Sequence, residues 1–316
     1  MKLGHADPGG LRATALVGAP SDPRGLAACC VDVYSHPIAR WLFGDSFHPG
    51  GLALTQRVAR LAGVGPGSRV LDLGSGRGAS AVHLAETLGC EVTGVTLEAT
   101  GVEAGQRRAR ERGVDHLVQF RRGDIQDLPL GHRAYDVGMM ECVLSILPAK
   151  AEMLSRLRAA LKPGGIVVVT DVTVNGALPE ELRGILTVAG CLGDARSLDG
   201  YAQLMSDAGL DVCQAEDLQS TAAAVVRSIK GKLMMAELAS KVGKLPLDAA
   251  LIERAKSLLR GVQQLIDDGL LSYGLLIAVE PSTRGSRRPH SVSAGRKTPR
   301  PATPASSARP LSAYPA

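Results

Sequence analysis

The segment from Ser68 to Glu98 places the strongest constraint on how this chain folds. It reads SRVLDLGSG, then, after two residues, ASAVHLAETLG, then CEVTGVTLE. The first and last pieces are apolar runs of strand length, and the middle piece has the apolar spacing of a helix. A glycine-rich loop joins the first strand to the helix. The three pieces predict a βαβ unit, whose two strands are parallel.

The same alternation continues along the chain. Strands are predicted at VQFRRGDI, YDVGMM, GGIVVVTDV, DVCQAEDL and YGLLIAVEP, and helices at EAGQRRARERG, KAEMLSRLRAAL, DGYAQLMSDAG and ALIERAKSLLRGVQQLIDDG. This order predicts an α/β fold with a mostly parallel, seven-stranded sheet and helices on both faces. With 316 residues, 45% of them hydrophobic, the chain is long enough for one such domain with added caps.

The predicted organisation has four parts. They are a flexible N-terminus (1–23), an N-terminal cap (24–67), the α/β domain (68–281) with a helical insertion at 177–208 after the fifth strand, and a disordered tail (282–316). The cap and the insertion exceed what a minimal sheet needs. We expect both to lie over the C-terminal edge of the sheet.

The tail carries the basic charge of the chain. It contains seven basic residues and no acidic one, and the rest of the chain has 29 basic and 31 acidic residues. Its Ser, Pro, Ala and Arg composition predicts disorder, and without aromatic residues among the charges we expect no nucleic-acid partner. No apolar run reaches the length of a membrane span, so we expect no membrane partner and a cytoplasmic location, with reduced cysteines. Oligomeric state is left open.

Three motifs together identify a cofactor. The loop Asp72-Leu-Gly-Ser-Gly-Arg-Gly78 opens the first helix of the βαβ unit, GDI follows the third strand at Gly123, and LKPGG begins at Leu161. Glycines at such a loop let the backbone pass close to a ligand at a helix N-terminus. The combination resembles the class I methyltransferases, a Rossmann-like fold that uses S-adenosyl-L-methionine, over roughly residues 65–172.

The resemblance implies a set of cofactor-binding residues. The acidic residue and the glycines of the loop surround the methionine part, Asp124 bonds the adenine amino group and Ile125 packs on the ring. In this family the second strand commonly ends with an acidic residue for the ribose, whereas this chain has Thr96 and then Glu98, which is the substitute we expect. The cofactor-binding residues implied are Asp72, Gly74, Ser75, Gly76, Gly78, Thr96, Leu97, Glu98, Asp124, Ile125 and Glu141.

Some of the six cysteines fall where a methyl acceptor is expected. Cys142 ends the fourth strand, Cys191 lies in the insertion, and Cys29 and Cys30 lie in the N-terminal cap. Because ligands of open parallel sheets sit outside the C-terminal strand ends, these thiols are predicted to approach one crevice. Thiolates are ligands for soft, thiophilic acceptors. Cys90 and Cys213 are predicted to be buried packing.

A second, more specific resemblance concerns the acceptor. The segment NGALPEELRGILTVAGCLGDARSLDGYAQLMSDAGL, together with ECVLSIL, is similar to arsenite methyltransferases. That family binds trivalent arsenic through two cysteines, which implies Cys142 and Cys191 as ligands of an arsenical substrate, with Cys30 or Cys29 as a third. The chain departs from the family in having FHPGG where a cysteine motif is usual, and Glu141 where an asparagine is usual.

Two other functions are compatible with the sequence. His48 paired with Glu141 as a general base predicts methylation of carbon or oxygen on a small organic acceptor; His36, Asp45 and Tyr34 are further candidates in the same stretch. A protein that binds the cofactor or a metalloid without turnover is the third possibility. Methyl transfer to an arsenical is the function that the two resemblances favour.

Overall fold

A computed structural model describes residues 41, 48–179, 182, 186, 192–241 and 248–281. All of these fall within the unit Met1–Ser282. The strands are β1 (Arg69–Leu73), β2 (Glu91–Thr96), β3 (Val118–Arg122), β4 (Tyr135–Glu141), β5 (Leu161–Val174), β6 (Asp211–Asp217) and β7 (Leu271–Val279). The helices whose bounds are described are α1 (Gly51–Leu61), α2 (Ala79–Leu88), α3 (Ala99–Glu111), α4 (Lys150–Ala160), α5 (Leu198–Asp207), α6 (Gln219–Lys241) and α7 (Ala249–Asp267).

The strands form one sheet in the order β3-β2-β1-β4-β5-β7-β6. The pairs from β3 through to β5 are parallel, whereas β7 runs antiparallel to both of its neighbours, β5 and β6. The predicted fold class, a Rossmann-like and mostly parallel seven-stranded sheet, is confirmed. The strand order reverses between β1 and β4, and open α/β sheets bind ligands at the C-terminal strand ends of such a switch point.

Alternate residues of the strands build two separate cores, one on each face of the sheet. Val70 joins the cluster that α1 and α2 cover, which includes Val58 and Leu84. Leu71, the next residue of β1, joins the cluster on the other face with Leu154 of α4. Side chains of a strand point alternately to its two faces, so this run of apolar residues is buried from both sides and positions the C-terminal ends of β1 and β4 rigidly.

The described end of the predicted insertion corrects one expectation. Helix α5 packs on the sheet face beside α4, with Tyr201 and Met205 in the same core as Leu154 and Leu157. It is therefore a helix that flanks the sheet, and it does not lie over the C-terminal edge as part of a cap. The reason is its apolar face, which the sheet buries.

The sequence patterns also missed one long helix. Helix α6 follows β6 directly, over 23 residues, and it pairs with α7 before the chain returns as β7. A third apolar cluster lies between these two helices and the segment before α5, and it contains Leu182, Leu186 and Val226. Of the two helices between β6 and β7, α7 was predicted from the sequence and α6 was not.

Of the predicted N-terminal cap, Trp41 and the residues from His48 onwards are described, and there α1 packs against α2. The rest of the predicted flexible N-terminus and cap, and the tail after Pro281, lie outside the described residues. No helix among the described residues has both the length and the apolar character needed to cross a bilayer.

Candidate active site

The loop after β1 has the close-packed geometry that its glycines predict. Gly74 has a φ of +80°, and a Cβ built there would lie 2.3 Å from the Cγ2 atom of Val143. The backbone N–H groups of Gly74 and Ser75 both donate to the carbonyl of Val95 on β2, at 2.9 Å each. Larger residues at Gly74 are excluded by both the backbone angle and the contact. The loop is therefore fixed against the ends of β2 and β4.

Asp72 on β1 is a buried carboxyl that lacks a partner. Its Oδ2 atom is buried and has no hydrogen-bond partner among the residues that the structure describes. Burial, and then the negative charge of Glu141, raises the pKa of Asp72 from 3.8 to about 8. A buried carboxylate without a partner costs free energy, so this position suits a ligand that brings a hydrogen-bond donor or a positive charge.

The loop residues after Asp72 fit the same ligand. The hydroxyl of Ser75 is also buried without a partner in the described part of the chain. A Cβ built at Gly76 would meet no described atom within 4 Å, so the backbone there faces open space. Orphaned polar atoms beside an open glycine backbone are what a binding site for a polar cofactor requires, and the carboxyl of Asp72 with the hydroxyl of Ser75 fits S-adenosylmethionine.

The residues expected around the ribose and adenine lie together at the ends of β2 and β3. Thr96 is buried, and its carbonyl accepts the N–H of Gly123, which brings the GDI motif next to β2. Asp124 accepts a hydrogen bond from the backbone of Gln126 at 2.9 Å, and Ile125 is buried in the core with Leu73. The contacts of these residues with a cofactor stay predictions.

The two residues after Thr96 differ in exposure. Leu97 is exposed over 37% of its surface, and Glu98 precedes α3 with its carboxylate accepting the hydroxyl of Thr100 at 3.0 Å. Both lie beyond the end of β2, on the C-terminal side of the sheet. A contact of Glu98 with a ribose hydroxyl stays a prediction.

Glu141, at the end of β4, organises a buried polar cluster. Its carboxylate accepts the hydroxyl of Ser80 from α2 at 2.6 Å and that of Thr55 from α1 at 2.9 Å. The Nε2 atom of His48 lies 3.5 Å from the same carboxylate, and both side chains are at least nine-tenths buried. The cluster joins the N-terminal cap to the strand end beside the cofactor loop.

The contacts of His48 define how it works with Glu141. With Nε2 as the donor to Glu141, a neutral ring carries its lone pair on Nδ1. The carbonyl of Pro49, which can only accept, lies 3.3 Å from Nδ1, so Nδ1 can take a proton from another molecule only when the ring has turned from this carbonyl. The hydroxyls of Thr55 and Ser80 lie 3.3 and 3.4 Å from Nε2. A carboxylate that orients an imidazole in this way is the usual arrangement of a histidine base.

Cys142 follows Glu141 in a strained backbone conformation, with a φ of +55°. Its N–H donates to the carbonyl of Thr170 on β5, and its Sγ atom lies 3.4 Å from the hydroxyl of Tyr273 on β7. Burial, and then the charge of Asp171, raises the pKa of the Cys142 thiol well above 9.0. The thiol is therefore protonated at neutral pH in this conformation.

The other predicted thiol ligands lie outside the described residues. These are Cys191, Cys30 and Cys29, and the same holds for His36, Asp45 and Tyr34. Among the residues that are described, no group of three or more His, Cys, Asp or Glu side chains lies close enough to hold a metal ion. Cys90 is buried, as predicted, whereas Cys213 is exposed because β6 is an edge strand.

A buried lysine holds the segment that follows Cys142. Lys150 donates to the carbonyls of Ser145 and Leu147 and to the carboxylate of Asp194, which belongs to the segment before α5. Asp171 on β5 accepts the N–H of Ser145 at 2.9 Å. Burial raises the pKa of Asp171 to about 6. These contacts fix the turn at the end of β4 to β5 and to the chain that leads into α5.

A cleft of about 370 Å³ opens beside His48. One wall is the start of α1, with His48, Gly50 and Gly51, and the other is the first part of α6. The Nη2 atom of Arg57 on α1 donates to both carboxylate oxygens of Glu216, at 2.7 and 3.0 Å, and so ties α1 to the end of β6, just before the α6 wall begins. The cleft is of the size that small-molecule sites have.

Several functional features were not predicted. The hydroxyls of Thr55 and Ser80, the anchor at Lys150, the Tyr273 hydroxyl and the α6 wall of the cleft all come from the fold. The sequence signal that could have found these hydroxyls is a polar residue at a position that the helix pattern buries. Ser80 in the apolar run ASAVHLAETL is the clearest case. The His48 and Glu141 pair, by contrast, was predicted as a pair, and the structure brings the two side chains together.

Comparison with known proteins gives the class to which this site belongs. Residues 65–209 match the family model described as a methyltransferase domain. A phosphoethanolamine N-methyltransferase 2 of Haemonchus contortus, solved in complex with S-adenosyl-L-methionine, superposes with a TM-score of 0.66 and 20% identity over 80% of this chain and 60% of that one. Residues 65–209 are therefore a methyltransferase domain, and the activity of the chain is S-adenosylmethionine-dependent methyl transfer.

Relatives by sequence cover different acceptors. Methyltransferase GfsG of Streptomyces halstedii is 27% identical over 202 residues, which are 58% of this chain and 72% of GfsG. An arsenite methyltransferase of Halobacterium salinarum is 27% identical over 156 residues, or 48% of this chain and 40% of that protein. The likeness to arsenite methyltransferases is thus one among several.

Proposed function

We propose that this methyltransferase acts on an oxygen or carbon atom of a small organic acceptor, with His48 as the general base and Glu141 as the residue that orients it. The observation that carries this proposal is the contact of 3.5 Å between His48 Nε2 and Glu141 Oε2 at the rim of a cleft large enough for a small molecule. A positioned base typically contributes a rate factor of about 10² to 10⁴.

The chemistry requires little from the protein beyond alignment and one proton transfer. S-adenosylmethionine, when bound, supplies the methyl group as an activated sulfonium. His48 Nδ1, once turned from the Pro49 carbonyl, would take the proton from the acceptor atom as that atom bonds to the methyl carbon and the carbon–sulfur bond of the donor breaks to leave a neutral sulfide, and Glu141 would stabilise the imidazolium that results. The buried setting of Thr55, Ser80 and Glu141 excludes water from the base and holds its ring in one orientation.

The test uses methyl donor labelled with deuterium in the methyl group. The protein is incubated with this donor and a panel of phenols, alcohols and β-dicarbonyl compounds, and products heavier by the labelled methyl group are sought by mass spectrometry. The His48→Gln variant should lose this product formation while it still binds the donor in calorimetry. Full activity of His48→Gln would overturn the assignment of the base.

A second candidate is methyl transfer to a trivalent arsenical, which the sequence analysis favours. Cys142 supports it, because this residue stands at the C-terminal end of β4, where the methyl acceptor is expected, and because an arsenite methyltransferase is among the relatives. The protonated, hydrogen-bonded state of the Cys142 thiol weighs against it, since a soft ion needs the thiolate.

The two candidates make opposite predictions for one pair of variants. Arsenite and methylarsenite are supplied with the methyl donor and a thiol reductant, and arsenic species are separated and counted by mass spectrometry. An arsenical methyltransferase loses activity in Cys142→Ser and in Cys191→Ser but keeps it in His48→Gln. The organic acceptor predicts the reverse.

A further inference from the structure

The chain makes a single tight turn after β3, from Asp124 to Leu128. The carbonyl of Asp124 accepts the N–H groups of Asp127, at 3.1 Å, and of Leu128, at 2.8 Å. As at the C-terminal end of a helix, such a turn leaves the later carbonyls without intrasegment partners. No described backbone N–H donates to the carbonyls of Ile125, Gln126 or Leu128. These carbonyls therefore need donors from another part of the chain.

One side chain of α4 supplies these donors. Arg156 is half-buried, and its guanidinium donates to the carbonyl of Ile125 at 2.8 Å, to that of Leu128 at 2.6 Å, and to that of Gln126. The guanidinium carries several N–H donors in a fixed, planar arrangement. Hydrogen bonds from a charged donor are also stronger than those between neutral groups. Three such bonds from one rigid group fix the shape of the whole turn.

The turn in its present shape holds the carboxylate of Asp124. The Oδ1 atom accepts the backbone N–H of Gln126 at 2.9 Å and the side-chain amide of Gln126 at 3.4 Å. The Oδ2 atom has no hydrogen-bond partner in the described part of the chain, so it is the oxygen available to the adenine amino group that the family resemblance assigns to Asp124. The orientation of this carboxylate depends on Gln126, whose own carbonyl Arg156 holds.

Helix α4 is itself fixed beside the turn. Leu154 and Leu157 belong to the same buried cluster as Ile125, and Leu128 packs against that cluster. Arg158, two residues after Arg156, has different contacts. It donates to the carbonyl of Ala208 at 3.3 Å and lies 3.7 Å from Glu280. The two arginines of α4 thus stabilise different parts of the protein, and only Arg156 contacts the turn after β3.

We propose that Arg156 is a positioning residue for the cofactor, which fixes the turn in the shape that presents Asp124 to adenine and so sets how strongly the protein recognises the adenine amino group. Arg156 does not touch the cofactor in this proposal and acts through Gln126 and Asp124. The inference goes beyond the proposed function. It concerns cofactor recognition alone, so it does not depend on which acceptor is methylated or on the identity of the base.

The experiment compares two ligands that differ in one group. Calorimetry measures the binding of S-adenosylhomocysteine, and of its deaminated analogue in which hydrogen replaces the amino group of adenine, to the full chain. The preference is the ratio of the two affinities. The variants are Arg156→Met, Arg156→Lys, Asp124→Asn, the double variant Asp124→Asn with Arg156→Met, and Arg158→Met as the matched control from the same helix.

The unaltered protein should prefer the ligand with the amino group by about tenfold or more, the contribution of one hydrogen bond to a charged acceptor. Arg156→Met should reduce this preference to about twofold. Arg156→Lys should give an intermediate value, because an ammonium keeps the charge but lacks the planar fork. The double variant should lose no more of the preference than Asp124→Asn alone, since both changes remove the same contact. Arg158→Met should keep the full preference.

Three results would overturn the inference. In the first, Arg156→Met weakens both ligands equally and keeps the preference, which is the pattern of a merely structural role. In the second, Arg158→Met loses as much of the preference as Arg156→Met. In the third, the unaltered protein shows no preference. If Arg156→Met does not fold, as judged by circular dichroism, then Arg156→Lys decides the question, and an unchanged preference in that variant overturns the inference.

Discussion

The imidazole of His48 lies 3.5 Å from the carboxylate of Glu141, which ends the fourth strand of the sheet. The contact exists because α1 packs on α2, where Thr55 and Ser80 donate their hydroxyls to the same carboxylate. The N-terminal cap therefore completes the site from outside the βαβ core. The base that we propose thereby stands at the switch point of the sheet.

The first prediction concerns this pair. His48→Gln should lower kcat by about 10²-fold or more, because the proton acceptor is lost. Thr55→Val should have a smaller effect, since it removes one of the donors that hold Glu141 but leaves the base in place. Steady-state kinetics provide the check, with the kcat and the KM of both variants measured beside those of the unaltered protein. Equal losses of kcat in Thr55→Val and His48→Gln would contradict the assignment.

The second prediction concerns Asp72 and the stability of the protein without its cofactor. The pKa of Asp72 is about 8 in the folded protein against 3.8 for an ordinary aspartate, so between these values the folded state holds a proton that the unfolded state has released. The free energy of unfolding should then fall as pH rises from about 4 to about 8, by several kcal/mol at most.

Urea denaturation at several pH values tests this dependence. Asp72→Asn keeps the shape of the side chain and removes the titration, so its unfolding free energy should lose this slope and exceed that of the unaltered protein at pH 8. Calorimetry with S-adenosylmethionine should meanwhile show weaker binding to the variant. A variant with the same slope as the unaltered protein would show that another group is responsible.

The strands and the loop could be predicted from the sequence because the residue patterns that indicate them are local. Buried parallel strands appear as apolar runs, and the loop from Asp72 to Gly78 has a fixed place between a strand and a helix. All seven predicted strands are present. The antiparallel direction of β7 could not be predicted from its apolar run, because a fully buried strand has the same composition in either direction.

The parts that sequence missed depend on long-range packing. Helix α6 carries a glycine at its centre, Gly231, and apolar residues on more than one side, so it lacks the single apolar stripe that marks an amphipathic helix. The surroundings of Cys142 depend on Tyr273, which β7 brings next to β5 across the sheet. Neither helix α6 nor the contact between Cys142 and Tyr273 can be predicted from the local sequence alone.

The third prediction concerns the buried cation at the start of α4. Lys150→Met keeps the length of the side chain but removes the donor to the carbonyls of Ser145 and Leu147, so those acceptors lose a partner in a buried setting. We expect a loss of about 2–4 kcal/mol in the free energy of unfolding. Asp194→Asn is the matched control and should cost less than about 1 kcal/mol, because that carboxylate is half exposed. Chemical denaturation of both variants gives the two free energies of unfolding. A larger loss in Asp194→Asn than in Lys150→Met would show that the bonds of Lys150 to the two carbonyls are not what stabilises this turn.

The fourth prediction concerns the ion pair that ties α1 to the end of β6. Arg57 and Glu216 are 44% and 34% exposed, so Arg57→Ala should change the free energy of unfolding by less than about 1 kcal/mol. The same change frees α1 from the end of β6, where α6 begins, so the apparent KM for the acceptor should rise while kcat for the bound acceptor is retained.

The double variant Arg57→Glu with Glu216→Arg restores the pair with its charges exchanged and should recover the original KM at low salt. Steady-state kinetics at two ionic strengths separate this role from a structural one, because a general loss of folding lowers kcat and is not repaired by exchanging the charges.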